Sequence, residues 1–229
     1  MTGATKKTDI TKIIRESLEL DRVDEAYIAT KKDFSLNTEL LDKKVKSSHE
    51  DLYTAYVESL NKVSARSDTI DRETANANSS GYRALKQDEI YNMNAVYLHE
   101  LYFANISDQE SVIHQDTLCY MRLVRDFGTF DAWQQDFIAC ALSAREGWAV
   151  TVFSTFLQRY INVAVDSHDL HVPMGCIPVV VIDMWAHAFH RNYLNDKRAY
   201  VRNMMRELSW EVIERRVMKA DMCGEVLAR

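Results

Sequence analysis

The sequence predicts an α+β protein, an N-terminal antiparallel helical hairpin followed by an α/β lobe with a three-stranded antiparallel sheet. Three observations carry this. KSSHEDLYTAYVESLNKV sets Leu52, Tyr53, Tyr56, Val57 and Leu60 at helical spacing, and NMNAVYLHELYFANIS brings a second amphipathic segment with Tyr97, Leu98, Leu101, Tyr102 and Phe103. Residues 64–80 between them, SARSDTIDRETANANSS, form a polar run without an apolar face, which reads as the connection of two long helices. Further on, IPVVVID is an apolar, β-branched run of the kind a buried strand shows, and it delivers Asp183 where the chain leaves the sheet.

In chain order, residues 1–36 are an N-terminal extension of alternating charge, in which IIRESLEL and VDEAYIA read as short amphipathic helices. The extension reads as a solvated, partly ordered arm or as an oligomer contact. Residues 37–110 make the helical-hairpin lobe and 111–229 the α/β lobe. The second lobe is expected to hold helices around 112–125 and 130–146, strands near 147–153, 159–165 and 177–183, and three closing helices, the first over 184–195. Only two prolines occur, Pro173 and Pro178, so nothing interrupts the helical segments.

Composition narrows the function classes. With 229 residues and 47% hydrophobic content the chain can bury a sizeable core. Lys and Arg total 28 against 34 acids, which argues against nucleic-acid binding, and the dispersed six glycines form no phosphate-binding loop. No stretch approaches the roughly 18 apolar residues of a membrane span. The start, MTGATKKTDITKII, lacks the apolar core of a secretory signal and carries an early acid, so cytoplasmic residence is expected. Four cysteines, Cys119, Cys140, Cys176 and Cys223, stand at scattered spacing and read as reduced thiols.

Chemistry concentrates at three histidine-bearing segments. In VIDMWAHAF, Asp183 at a helix boundary and His187 about one turn later can offer an oxygen and an imidazole nitrogen to one metal ion. Alternatively Asp183 caps the helix and His187 packs in the core. His99 lies amid aromatic residues, where a buried imidazole needs partners, because an unpaired polar group there costs about 1–3 kcal/mol. His49 lies on the first amphipathic segment.

These segments, in this order, resemble the iron/manganese superoxide dismutase family over roughly residues 37–218. HELYFANIS is similar to the helix of the family's second histidine, DFGTFDAWQQDF to its connecting helix, EGWAV to its Gly-Trp strand, and VIDMWAHAF to its Asp-x-Trp-x-His-Ala signature. YLNDKRAYV and ELSWEVIERRV follow in the family's order. The resemblance implies that His49, His99, Asp183 and His187 hold one Fe or Mn ion, with a solvent molecule as fifth ligand. It implies Tyr56 as the gateway tyrosine and His168 as the outer hydrogen-bond donor, with His171 its rival, since Ala95 stands where other members carry a glutamine. The implied activity disproportionates superoxide to dioxygen and hydrogen peroxide, and Lys197 is the candidate for a local positive field.

The sequence departs from the family pattern in places. His49 precedes Tyr56 by seven residues where most members have eight, with Ser48 in the usual place. Ala186 replaces the glutamate that in the family bridges to the ligand histidine of the other subunit, so a homo-oligomer is expected through a non-standard interface. These departures leave a second reading open, a catalytically silent superoxide-dismutase-like subunit serving a structural or interaction role in a larger assembly.

Overall fold

The computed structural model describes residues 25–106 and 111–227. Two long helices open it, α1 (Lys43–Ser67) and α2 (Gly81–Asn105), packed against each other as a hairpin. Asp42 starts α1 by accepting from the Val45 amide at 2.8 Å, and Ser80 starts α2 by accepting from the Arg83 amide. The expected connection begins later than its composition suggested. Residues 64–67 are still helical, because the buried face of that last turn is polar: Ser64 and Ser67 are 0% and 1% exposed.

The partner of that polar face is the chain preceding α1. Over residues 25–32 it runs extended along the hairpin, antiparallel to α1. The Ser64 hydroxyl accepts from the Tyr27 amide and donates to the Tyr27 carbonyl, Asn61 bridges both backbone groups of Ala29, and the Tyr53 hydroxyl accepts from the Lys32 amide. The helix expected over VDEAYIA is therefore not formed at residues 25–29: the Glu25 and Ala26 amides bond to Asp68 just past α1, and those of Tyr27 and Ala29 to Ser64 and Asn61 of α1. IIRESLEL lies outside the described residues.

The second lobe holds α3 (Leu118–Phe127), α4 (Phe130–Ser143), β1 (Gly147–Ser154), β2 (Arg159–Asp166), β3 (Cys176–Asp183), α5 (Ala186–Tyr193), α6 (Lys197–Arg206) and α7 (Trp210–Leu227). Helix α3 starts some six residues later than expected. Thr117 caps it, and Glu214 of α7 takes the free Leu118 and Cys119 amides at 2.9 and 2.7 Å, a tertiary contact that local pattern does not reveal. The sheet is antiparallel in the order β2-β1-β3, with a register shift between Thr151 and Val152 that brings Pro178 onto the edge strand.

The two faces of β1 have different tasks. Thr151 faces α4, accepting from Trp133 Nε1 at 3.0 Å, whereas Trp148, Val150 and Val152 share the opposite face toward α2. Gly147 makes the site-side corner possible. A Cβ there would lie 2.0 Å from the Val165 carbonyl oxygen, at a φ of +154°. Its own carbonyl accepts from the Met184 amide at 2.8 Å, which locks the start of β1 to the end of β3 and pairs Trp148 with Asp183. Asn105, at the end of α2, bonds both backbone groups of Val181, and half-buried Arg216 of α7 donates to Asn105, Leu101 and Val179. Hairpin and sheet are thereby joined beside the four histidine- and aspartate-bearing positions.

Candidate metal centre

Helix α1 supplies His49, α2 supplies His99, the last residue of β3 is Asp183, and the first turn of α5 supplies His187. One donor atom from each lies within 4.8 Å of every other. His49 Nε2 stands 3.0 Å, His187 Nε2 3.2 Å and His99 Nε2 3.9 Å from Asp183 Oδ2. Three members are sealed from solvent, His49 at 1%, His99 and Asp183 at 0%; the His187 side chain is 29% exposed.

The short spacing from His49 to Tyr56 does no harm. Seven residues on a regular helix turn about 700°, close to two full turns, so both side chains stay on the inward face. Ser48, one position earlier, bonds back to the Val45 carbonyl.

Hydrogen bonds fix the tautomers. His99 Nδ1 lies 2.6 Å from the Ala95 carbonyl, which can only accept, so the proton is on Nδ1 and Nε2 presents a lone pair. That buried Nε2 has no hydrogen-bond partner among the described residues. Asp183 divides its carboxylate: Oδ1 accepts from the Trp185 amide at 2.8 Å while Oδ2 faces the histidines. The capping alternative is not met: Trp185 stands at the start of α5 with no side-chain cap bond, and the Oδ1 bond to its amide lies ahead of the helix.

Burial pushes His99 down to about 3, helped by the neighbouring His49, and burial likewise lowers His49. For Asp183, burial works upward but is outweighed by His187 and by bonds from His187 and His49, so the carboxyl is held below its usual range. Burial opposes a charge on His187, yet Asp183 more than compensates and raises it. The cluster is a buried carboxylate among imidazoles that are mostly neutral, the protonation state in which such groups bind metal.

Beside it lies a second buried group. His168 is 0% exposed; its Nδ1 accepts from Trp148 Nε1 at 3.0 Å, which leaves the proton on Nε2, 3.1 Å from the Tyr56 hydroxyl. Burial holds His168 at about 4 and raises the Tyr56 phenol. Asn94 fixes the His168 backbone by donating to its carbonyl. The rival His171 is on the surface, with a 70% exposed side chain paired to Asp166. Lys197 is occupied as a tether, its Nζ donating to the carbonyls of Ala144 and Arg145 at the end of α4. Trp148 is the residue sequence reasoning left without a role; the Gly-Trp pair in EGWAV was its only signal.

Comparison with known proteins fits this geometry. The C-terminal domain of iron/manganese superoxide dismutases matches residues 114–216. The iron superoxide dismutase of Aquifex aeolicus is 32% identical over 178 residues, covering 76% of this chain and 83% of that protein. The chain belongs to the iron/manganese superoxide dismutase family. An iron superoxide dismutase of Cupriavidus metallidurans is 31% identical over 76% of this chain and 86% of its own length. A manganese superoxide dismutase of Haloferax volcanii is 31% identical over 50% of this chain and 56% of its own. The donor set here is three imidazoles and one carboxylate, which suits iron or manganese. The four cysteines are free thiols, and none joins the cluster.

Proposed function

We infer that this chain is a superoxide dismutase whose His49, His99, His187 and Asp183 hold one iron or manganese ion. The observation that carries the reading is the lone pair on His99 Nε2, buried, unpartnered and turned toward the Asp183 oxygen that the other two imidazoles also approach. In a metal-free protein that nitrogen would be an uncompensated cost of about 1–3 kcal/mol. As a ligand it is satisfied.

When bound, the ion supplies a one-electron couple, so that one superoxide is oxidised to dioxygen and a second, with two protons, is reduced to hydrogen peroxide. The chain's own residues supply what surrounds that couple. Asp183 provides a buried anion that offsets the ion's charge, and its Trp185 amide bond orients it. Tyr56 and His168 act as the proton-handling pair. His168 carries its proton on Nε2 and donates it to the Tyr56 oxygen, while the phenol's own proton is directed to Tyr91. Because burial raises the Tyr56 phenol, that proton stays on it at ordinary pH. Trp148 and Trp185 pack against His99 and His168 and keep bulk water from the imidazoles.

The test is iron and manganese content together with superoxide-dependent activity on one sample purified without chelators. Near-stoichiometric metal with activity is the expected result. A folded, metal-free, inactive protein would overturn the reading in favour of a structural subunit.

A further inference from the structure

Helix α2 brings one more phenol to the pair formed by Tyr56 and His168. Tyr91 lies about two turns before the donor His99, with Ala95 between them, so the three share one side of the helix. Ala95 has no polar side-chain atom and its carbonyl is taken by His99 Nδ1, so the next polar group along that side is the Tyr91 hydroxyl. The Tyr91 ring stands edge-on to His168, centroids 4.8 Å apart at 76°, and 6.2 Å from the Tyr56 ring, with the two phenols hydrogen-bonded. Asn94, one turn further along α2, holds the His168 carbonyl, so a single helix fixes both Tyr91 and the segment it packs on.

Hydrogen-bond accounting gives Tyr91 a task. His168 passes no proton in from solvent. Its Nδ1 accepts from the Trp148 indole, which only donates and keeps its proton, and its Nε2 already donates to Tyr56. That branch ends in the core, because Trp148 and His168 are both 0% exposed. Tyr91 forms the other branch. It is partly exposed, and a phenol both donates and accepts. The Tyr56 hydroxyl therefore stands between a closed end and an open one.

We propose that Tyr91 is a positioning residue for the reaction, the outer link through which protons from solvent reload Tyr56. This rests on the superoxide dismutase reading above. At rest the Tyr56 proton is held outward on the Tyr91 oxygen. When Tyr56 delivers, its hydroxyl turns and its proton goes into the site. The Tyr91 proton then moves onto the Tyr56 oxygen, and water replaces the proton that Tyr91 lost, leaving hydroxide in solvent. Both phenols are neutral before and after, so each pass carries one proton inward with water as the sole co-reactant. Two passes supply the protons that reduction of one superoxide to hydrogen peroxide consumes.

Two measurements on the full-length protein purified without chelators test this. The first, a crystal structure, needs no activity. The Tyr56 and Tyr91 oxygens should lie within about 3 Å, and a separation beyond about 3.5 Å would overturn the proposal. The second is steady-state kinetics on Tyr91→Phe, which keeps the ring packed on His168, beside Tyr97→Phe, whose half-exposed phenol lies on α2 outside the network. Metal content should match the parent in both. In Tyr91→Phe kcat should fall about 10-fold, the lower end of what outer partners of a metal site contribute. Its kcat/KM should stay near the parent value, because capture of superoxide does not use the relay. Imidazole added as a small proton donor should restore most of the lost kcat, and Tyr97→Phe should change neither constant. Tyr56 is itself partly exposed, so the competing route is water reaching it directly; that route would leave kcat of Tyr91→Phe unchanged and overturn the proposal. A loss that imidazole does not repair would also overturn it, leaving Tyr91 a packing residue. Failure of the functional reading looks different: the parent itself would lack metal and activity, while the oxygen separation would still decide whether Tyr91 takes the Tyr56 proton.

Discussion

The two sides of the donor cluster are built by opposite means. On the hairpin side, His49 and His99 are sealed: His49 lies between Tyr102 and Phe103 at ring distances of 5.4 and 5.0 Å, and His99 meets the Trp148 edge at 4.9 Å. Long capped helices hold both, and the Ala95 carbonyl fixes the His99 tautomer. On the other side, His187 stands in the first turn of an eight-residue helix without a side-chain cap, partly exposed, next to the exposed Ala186. It is held by Asp183, by the stacked ring of Trp185 at 6.0 Å, and by the rings of His49 at 4.8 Å and His99 at 6.1 Å. The contrast teaches that one half of the cluster is set by core packing, while the other half rests on the Asp183 carboxylate and ring contacts and lies partly open to solvent.

The substitution that strikes both halves should have the largest effect. Asp183→Ala removes the one oxygen that all three imidazoles approach. Metal content by elemental analysis should fall to background, and chemical denaturation of the metal-free protein should show a loss of about 3–5 kcal/mol, the usual result of stripping one member from a buried charged pair. Retention of metal would mean the histidines alone make the site.

The contrast itself is tested by comparing His49→Ala with His187→Ala. Both should abolish metal retention. Only the first should also weaken the metal-free fold substantially, by about 2–4 kcal/mol for a truncation inside the aromatic packing. The second should cost about 1 kcal/mol or less, as expected for a partly exposed position. Equal losses in denaturation would erase the distinction between the two sides.

A finer probe leaves all four donors in place. Trp148→Phe keeps an aromatic ring but removes the donor that holds the proton of His168 on Nε2. Metal content should stay near that of the parent while kcat falls about 10–100-fold, the range seen when outer partners of a metal site are changed. An unchanged kcat would remove His168 from the proton-handling pair. The smallest effect is expected from Ala186→Glu, which restores the residue the family uses across its subunit contact beside the looser histidine. A shift toward dimer in light scattering would mean that the family's contact surface persists here, and an unchanged mass would argue against that surface in this chain.

Legibility in the sequence followed the kind of force at work. IPVVVID announced a buried strand because burial there is apolar, and it is β3 as observed, within a residue at its start. The Asp183–His187 spacing was readable because it is local to one corner. His49 and His99 needed the family resemblance, since what unites them is contact between segments far apart in the chain, His49 with Asp183 across 134 residues. The elements that were misjudged are those whose burial is polar or tertiary. Residues 64–67 looked like a loop because serines form their buried face; Ser64 is satisfied by Tyr27 of a distant arm, and Ser67 bonds back to the Ser64 carbonyl. The start of α3 was placed too early because its first free amides are taken by Glu214, about a hundred positions away. The role of Trp148 was hidden for the same reason, being defined by one indole nitrogen and the far side of a β-hairpin.

The central claim is that four side chains from α1, α2, β3 and α5 hold a single ion. Anomalous diffraction from crystals of the protein purified without chelators, recorded on both sides of the iron and manganese absorption edges, addresses it directly and identifies the metal. The expected result is one peak per chain at bonding distance from Nε2 of His49, His99 and His187 and from Oδ2 of Asp183. A peak that leaves any of the four unbound, or a chain with no peak at either edge, would contradict the account.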